Sequence, residues 1–391
     1  MGLILRLAIP SVDDRDVKKR CGEEYLWKDY LYKIVAILYT RHTNALKIIL
    51  VNDNYTGSSI KDDEHDRRAS KHRSLPNIFP KVRDKFPSPG QYNKFLLKAE
   101  NKVRLQKILK NHLIGEVKKH QPVVIYCETE VATNLNENVE NSDFSFKQAE
   151  ADTMIFTAYS VLRNTYEGPV IVDSEDTDVY VQSSFVSHQS TGDLYIKNKI
   201  NYFNCRELIS YNMSKIIIQL HIITGSDHTS GFFGHGKKSI FDMVKKDQNS
   251  QEMLQNVGCS LSLEKEVIAN MREFILTKVY RENAKTCGEA RSSKWKKLKK
   301  KTMIRLPPDN DSLMQHFKRC NYLSFCQMNY DMKHHPSPIG NGWEIINGKC
   351  RPVRYTVPAL PNQFVFIPSI DDDESESEVS EYGDSSGSDD K

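Results

Sequence analysis

Residues 169–178 read PVIVDSEDTD, a short β-branched apolar run that stops at an acidic, hydroxyl-bearing turn. A run this short and this apolar predicts a strand covered on both faces, with Asp176 and Asp178 at its C-terminal end. The same pattern recurs outward from it at 46–51 (LKIILV), 122–127 (PVVIYC) and 194–197. Helix-like stretches at 25–38, 92–113, 146–162 and 215–223 separate these runs. The alternation predicts an α/β fold with a mainly parallel sheet flanked by helices.

Composition narrows the class. The 391 residues leave room for one large domain with insertions or two smaller ones, at roughly 150 residues per domain. With 39% hydrophobic residues and a mean hydropathy of −0.56, no run approaches the roughly 18 apolar residues that cross a bilayer, so no membrane partner is expected. The opening MGLILRLAIP reads as a piece of core helix, because Arg6 interrupts it and no cleavage signal follows. Eight cysteines without a C-x-x-C pair suit a reducing compartment. Cys320, Cys326, His334 and His335 follow no established zinc spacing.

Charge is distributed unevenly. Residues 371–390 carry ten Asp or Glu against Lys391, a tail of −9, which leaves +13 on residues 1–370 of a chain whose net charge is +4. A basic body with an acidic tail fits a nucleic-acid partner for which the tail competes, and the tail composition predicts disorder. Seven of the fourteen residues at 292–305 are Lys or Arg, a run that reads as a nuclear localisation signal or a phosphate contact and points to the nucleus, with the cytoplasm as the alternative. From there to about 366 the chain is proline-containing and without clear periodicity. Residues 60–89, rich in Lys, Arg, Asp and Pro, read as a solvated excursion from the sheet.

Acids close four buried segments. Asp53 follows the first strand, Glu150 and Asp152 open a helix (QAEADTMIFTAY), Asp176 and Asp178 follow the third strand, and Asp227 ends IIIQLHIITGSD. In an open parallel sheet the C-terminal strand ends line one crevice, so such acids can converge. Converging carboxylates need cations, and their hard oxygens suit two Mg²⁺ or Mn²⁺ ions, the apparatus of phosphodiester hydrolysis. Singly, each acid reads equally as a helix cap or turn residue.

Gly231, Gly234 and Gly236 allow backbone to approach a phosphate, and the helix beginning at Lys237 and Lys238 offers free N–H groups there. The alternative is an ordinary glycine-rich turn between helices. His228 reads as a loop residue. Between 92 and 113 the apolar Phe95, Leu96, Val103, Leu105, Ile108 and Leu109 leave a lysine-rich face.

Taken in order, these motifs resemble the flap-endonuclease/XPG-like 5′ nucleases of the PIN-like superfamily, and more narrowly transposon-associated animal proteins carrying that domain. Glu150-Ala151-Asp152 is similar to the family's Glu-Ala-Glu, Ser174–Asp178 to its acidic loop, Gly225-Ser226-Asp227 to the entry of its helix-two-turn-helix, and residues 231–238 to the glycine hairpin. The resemblance implies a PIN-like domain at 1–285, with an arch-like basic insertion at 54–120 and the helix-two-turn-helix at 225–250, a basic extension at 286–370 and a disordered tail at 371–391. It implies metal ligands Asp53, Glu150, Asp152, Asp176, Asp178 and Asp227, with Lys61, Arg67 and Arg68 on the scissile phosphate. DNA contacts would come from Gly231, Gly234, Gly236, Lys237 and Lys238, and a monovalent cation would sit at the helix-two-turn-helix. The family's first strand and its Asp have no counterpart here, and Asp13, Asp14 and Asp16 lie too far downstream to replace it. The expectation is a two-metal, structure-specific DNA nuclease, with a catalytically silent DNA-binding descendant as the alternative.

Overall fold

A computed structural model describes residues 5, 7–20, 22–54, 59–60, 63, 66, 80–117, 123–127, 132–133, 144, 150–299 and 302–357. Residues 1–354 form one compact unit and 355–391 a second, described only at 355–357. The acidic tail therefore lies outside the described residues, as do Lys61, Arg67 and Arg68.

The first half is organised by aromatic packing. Helix α1 (Val12–Arg20) precedes α2 (Trp27–Arg41), whose Trp27, Tyr30, Leu31, Ile34, Val35 and Leu38 are buried at helical spacing. Asp29 caps α2 by accepting from Leu26 N at 2.8 Å. Strand β1 (Lys47–Val51) follows, then α3 (Pro89–Leu96) and α4 (Ala99–Val117). Pro89 opens α3 behind a reciprocal Ser88–Gln91 capping box, so its start is sharply defined. Trp27, Tyr30, Phe86, Tyr92 and Phe95 form one buried cluster with Leu105, Leu109 and Leu113. The Trp27 and Phe86 rings stand 4.8 Å apart, and the Tyr30 and Tyr92 hydroxyls meet at 2.5 Å. Residues 80–117, expected within an arch-like excursion, are thus a structural half of this core. Val103, expected to be apolar core, is exposed.

Among the described residues, two small mixed sheets stand where a single, mainly parallel one was expected. In the first, β1 pairs parallel with β2 (Val123–Cys127), and β3 (Ala132–Thr133) adds antiparallel. Helix α5 (Ala151–Arg163) leads to the second sheet, where β4 (Val170–Asp173) pairs parallel with β5 (Leu194–Asn198) across α6 (Thr177–Gln189). The two-residue turn at Lys199 and Ile200, with Lys199 at φ 55°, returns β6 (Asn201–Asn204) antiparallel on β5. Among the described residues β1 and β4 are edge strands of separate sheets, and Ile171 of β4 is 48% exposed rather than covered on both faces.

The second half packs around one helix. After α7 (Tyr211–Ser214), all seven side chains of α8 (Ile217–Ile223) are buried, five of them isoleucine or leucine. Helices α9 (Lys237–Val244), α10 (Gln248–Leu254) and α11 (Lys265–Glu273) follow, the last running into a π-helical turn at Phe274–Val279, then α12 (Cys287–Lys297) and α13 (Asn310–Met328). Leu313, Phe317, Cys320 and Leu323 of α13 join the α8 core, so the region read as aperiodic belongs to the main unit. A hairpin of β7 (Trp343–Ile346) and β8 (Lys349–Pro352) ends it. Among the described residues no helix is long and apolar enough to cross a membrane.

An ionic knot ties the end of α2 to the second sheet. Arg41, in the last turn of α2, grips Asp173 at the end of β4 through both its Nε and Nη2, and His42 Nε2 lies 3.2 Å from the same carboxylate. Lys197 of β5 donates to Arg41 O at 2.6 Å. Burial alone would raise the Asp173 carboxyl, yet Arg41 and His42 hold it down at about 2. Because the folded value lies below the unfolded one, this stabilisation is complete above about pH 4 and is lost as pH falls toward 2. Asp173→Asn should cost about 2 kcal/mol in urea unfolding at pH 7 and should remove that part of the acid sensitivity. An unchanged acid limb would show that the knot contributes nothing.

Candidate functional site

Asp53 lies two residues beyond β1, and its Oδ1 accepts from Ala151 N at 2.9 Å. It therefore serves an orphan N–H at the start of α5, and Gln106 Nε2 fixes its carbonyl at 3.0 Å. The contact carries Glu150, the residue preceding α5, to the end of β1. There His228 Nε2 lies 2.9 Å from Glu150 Oε1, with both side chains largely buried.

His228 arrives by a turn that the sequence dictates locally. Gly225 has φ +113°, and a Cβ on it would stand 2.8 Å from the Gly231 backbone, so only glycine fits. Thr229 Oγ1 accepts from Ser226 N at 2.9 Å and donates to Ile222 O at 2.6 Å, folding residues 226–229 back onto the end of α8. A second turn, closed by His235 N on Phe232 O at 3.0 Å with Gly234 at φ +80°, leads through Gly236 at the N-cap into α9. Two turns thus join α8 to α9, and the close approach belongs to Gly225 and Gly231, with open space around Gly234 and Gly236.

On the other side, Asp176 caps α6 by accepting from Asp178 N at 3.0 Å. Asp178 Oδ1 is 2.8 Å from His221 Nε2, and His221 Nδ1 is 3.5 Å from Lys237 Nζ. An ammonium can only donate, so Nδ1 accepts and the proton of a neutral imidazole resides on Nε2, facing Asp178. Burial would raise the Asp178 carboxyl, but His221, with Lys237 and His228 nearby, outweighs it and holds the group below its usual range. Burial likewise pulls the Lys237 ammonium down, opposed by Asp178 and Asp227.

Three of the six acids, Glu150, Asp178 and Asp227, therefore gather around His221, His228 and Lys237, and Asp53 holds the helix start beside them. Asp176 is exposed and acts as a cap, and Asp152 is half-buried in the first turn of α5. Lys237 turns its ammonium into this cluster, whereas the sequence reading had it on phosphates remote from the acids. Lys238 is exposed. His228, read as an incidental loop residue, is the link between Asp227's turn and α5.

The C-terminal segment supplies a further wall, which sequence reasoning missed. A cavity of about 190 Å³ opens beside Asp227 and His228 and is closed opposite by Arg319, Trp343, Arg354 and Asp63. Burial pushes the Cys326 thiol of α13 up to about 12, with Glu150 adding to it. Burial also lowers His335, against the pull of Glu150.

Carboxylate oxygens from Asp53, Glu150, Asp178 and Asp227 are donors that Mg²⁺ or Mn²⁺ accepts. Among the described residues no three His, Cys, Asp or Glu surround a common ion position. An ion would enter by displacing the Lys237 ammonium and the imidazoles from their carboxylates.

No family model matches the chain, and no curated protein or solved structure matches it either.

Lys237 and Lys238 should behave differently when reversed in charge. Lys237→Glu sets a like charge against Asp178 and Asp227 and should cost about 2 kcal/mol, less than a fully buried pair because much of the residue is exposed. Lys238→Glu should cost under about 0.5 kcal/mol. Equal urea midpoints for the two variants would remove Lys237 from the cluster.

Proposed function

We propose that this chain is a metal-dependent nuclease acting on DNA phosphodiesters, of the flap-endonuclease/XPG-like kind and built on a PIN-like fold. One observation carries the reading: acids from four separate segments, 53, 150, 178 and 227, are tied into one neighbourhood through Ala151 N, His228, His221 and Lys237. Titratable groups gathered in this way are found at sites of chemistry as well as in structural ion-pair networks. The two-turn connection from α8 to α9, with its glycines at 225, 231 and 234, supports the helix-two-turn-helix part of the reading.

In this mechanism Asp53, Glu150, Asp178 and Asp227 would hold the ions. Bound there, the metals would activate water and neutralise charge on the phosphodiester. The chain's own residues have separate tasks. Asp53 and Asp176 fix the helix starts that carry Glu150 and Asp178. His221 holds a proton at Nε2 against Asp178, and Lys237 supplies a cation at its other nitrogen. The backbone N–H groups opening α9 face an anion favourably, which suits a duplex phosphate. The +13 body would supply sequence-independent affinity.

A second reading rests on its own observation. The carboxylates are already countered by two imidazoles and an ammonium, so the same site could bind nucleic acid without metals or turnover. One assay separates the two: flap, bubble and single-stranded DNA incubated with Mg²⁺ or Mn²⁺, parent against Asp178→Asn/Asp227→Asn. The nuclease reading expects metal-dependent cleavage that falls by roughly 10²-fold or more in the variant. Binding in EDTA with no cleavage by the parent under either metal would establish the silent reading instead.

A further inference from the structure

The β7–β8 hairpin is built to present cations. Asn347 and Gly348, at φ 51° and 74°, form the two-residue turn that matches strand twist, so the register pairs Ile346 with Lys349. Alternation along β8 buries Cys350 and turns Lys349 and Arg351 away from it. The hairpin is seated firmly on α13. Trp343 is buried against Tyr322 at 5.3 Å, and Arg319 Nη1 donates to both Gly342 O and Val353 O. At Gly342, φ is +91°, and a Cβ would stand 2.6 Å from Arg319 Cγ, so this approach needs glycine.

Two carboxylates sit on those cations. Lys349 Nζ reaches both oxygens of Asp66 at 2.8 and 2.9 Å. Arg351 forks between them, Nη1 on Asp63 Oδ1 at 3.0 Å and Nη2 on Asp66 Oδ2, while Arg354 Nη2 lies 3.7 Å from Asp63 Oδ2. A guanidinium forked across two oxyanions is the chemistry that recognises phosphates; among the described residues the acids near these cations are Asp63 and Asp66, with Glu344 across the hairpin from Arg351. These pairs are partly or well exposed, so each contributes little and yields readily to a competing anion.

We propose that Lys349, Arg351 and Arg354 form a phosphate-binding surface for single-stranded nucleic acid, and that in the free protein Asp63 and Asp66 occupy it in place of phosphates. The inference rests on the nucleic-acid reading above and adds where a strand runs. Asp63 and Arg354 also line the 190 Å³ cavity beside Asp227 and His228, so this surface lies near the acid cluster. The +13 body favours a polyanion over other partners.

The test measures binding of labelled oligo-dT to the full chain in EDTA over a salt series, so that no cleavage is needed. Asp63→Asn/Asp66→Asn removes the competing carboxylates and should tighten binding about tenfold, the equivalent of two exposed ion pairs. Lys349→Gln/Arg351→Gln/Arg354→Gln should weaken binding and flatten the salt slope by about 2, at roughly 0.7 per single-strand phosphate. Urea unfolding of each variant separates lost folding from lost contacts, and the single Asp66→Asn serves if a multiple variant does not fold. Unchanged or weaker binding by Asp63→Asn/Asp66→Asn would overturn the proposal and leave those pairs as structural struts. Equal affinity for poly-Glu would overturn it in favour of an acidic protein partner. Absence of oligo-dT binding by any chain would overturn this inference and the nucleic-acid reading together, whereas parental binding that neither variant alters would overturn this inference alone.

Discussion

The contact of Arg41 and His42 with Asp173 is the constraint that joins the end of α2 to the second sheet. Without it, two three-stranded sheets would have no ionic tie between the end of α2 and the end of β4. Removing these charges from water is costly, and the guanidinium fork with both carboxylate oxygens bonded is the geometry that offsets such a cost. Lys197 completes the knot from the neighbouring strand by bonding the Arg41 carbonyl. The knot thus ties the connection entering β1 to the C-terminal end of β4 and to β5, through residues that touch none of the gathered acids.

Bringing carboxylates together creates an electrostatic debt that something positive must cover. Here the partners are internal: the His228 imidazole beside Glu150, the His221 imidazole beside Asp178 and, as the positive group, the Lys237 ammonium near Asp178 and Asp227. The two readings of function differ only in whether a divalent ion can outcompete those groups. Lys237 is the most telling, because burial already disfavours its charge.

The C-terminal segment changes what the site is. Helix α13 is buried against α8, where His316 Nε2 meets Ile223 O at 3.0 Å just before the Gly225 turn. Through Arg319 and Trp343 it then orients the hairpin over the cavity beside Asp227. Core packing, turn geometry and the basic surface are therefore one continuous structure, and a disturbance of α13 would be felt at the acids.

Local features were legible in the chain. The four apolar runs became β1, β2, β4 and β5 to within a residue, because their apolar, β-branched composition acts over a few positions. Asp53 and Asp176 proved to be helix-start acids, a role their positions after strands also allowed, and of the three glycines read for close backbone approach Gly231 makes one, against Gly225. Helix α13 was readable too, since Leu313, Phe317, Cys320 and Leu323 keep helical spacing, but the prolines on either side masked it. What only the tertiary structure decided was partnership. His221 meets Asp178 across 43 positions, Arg41 meets Asp173 across 132, and Arg351 meets Asp66 across 285. A side chain's chemistry is written at its own position, whereas its partner is chosen by how the layers pack. The sequence therefore determined which strands, caps, turns and charges exist, and only the fold decided which charges face one another.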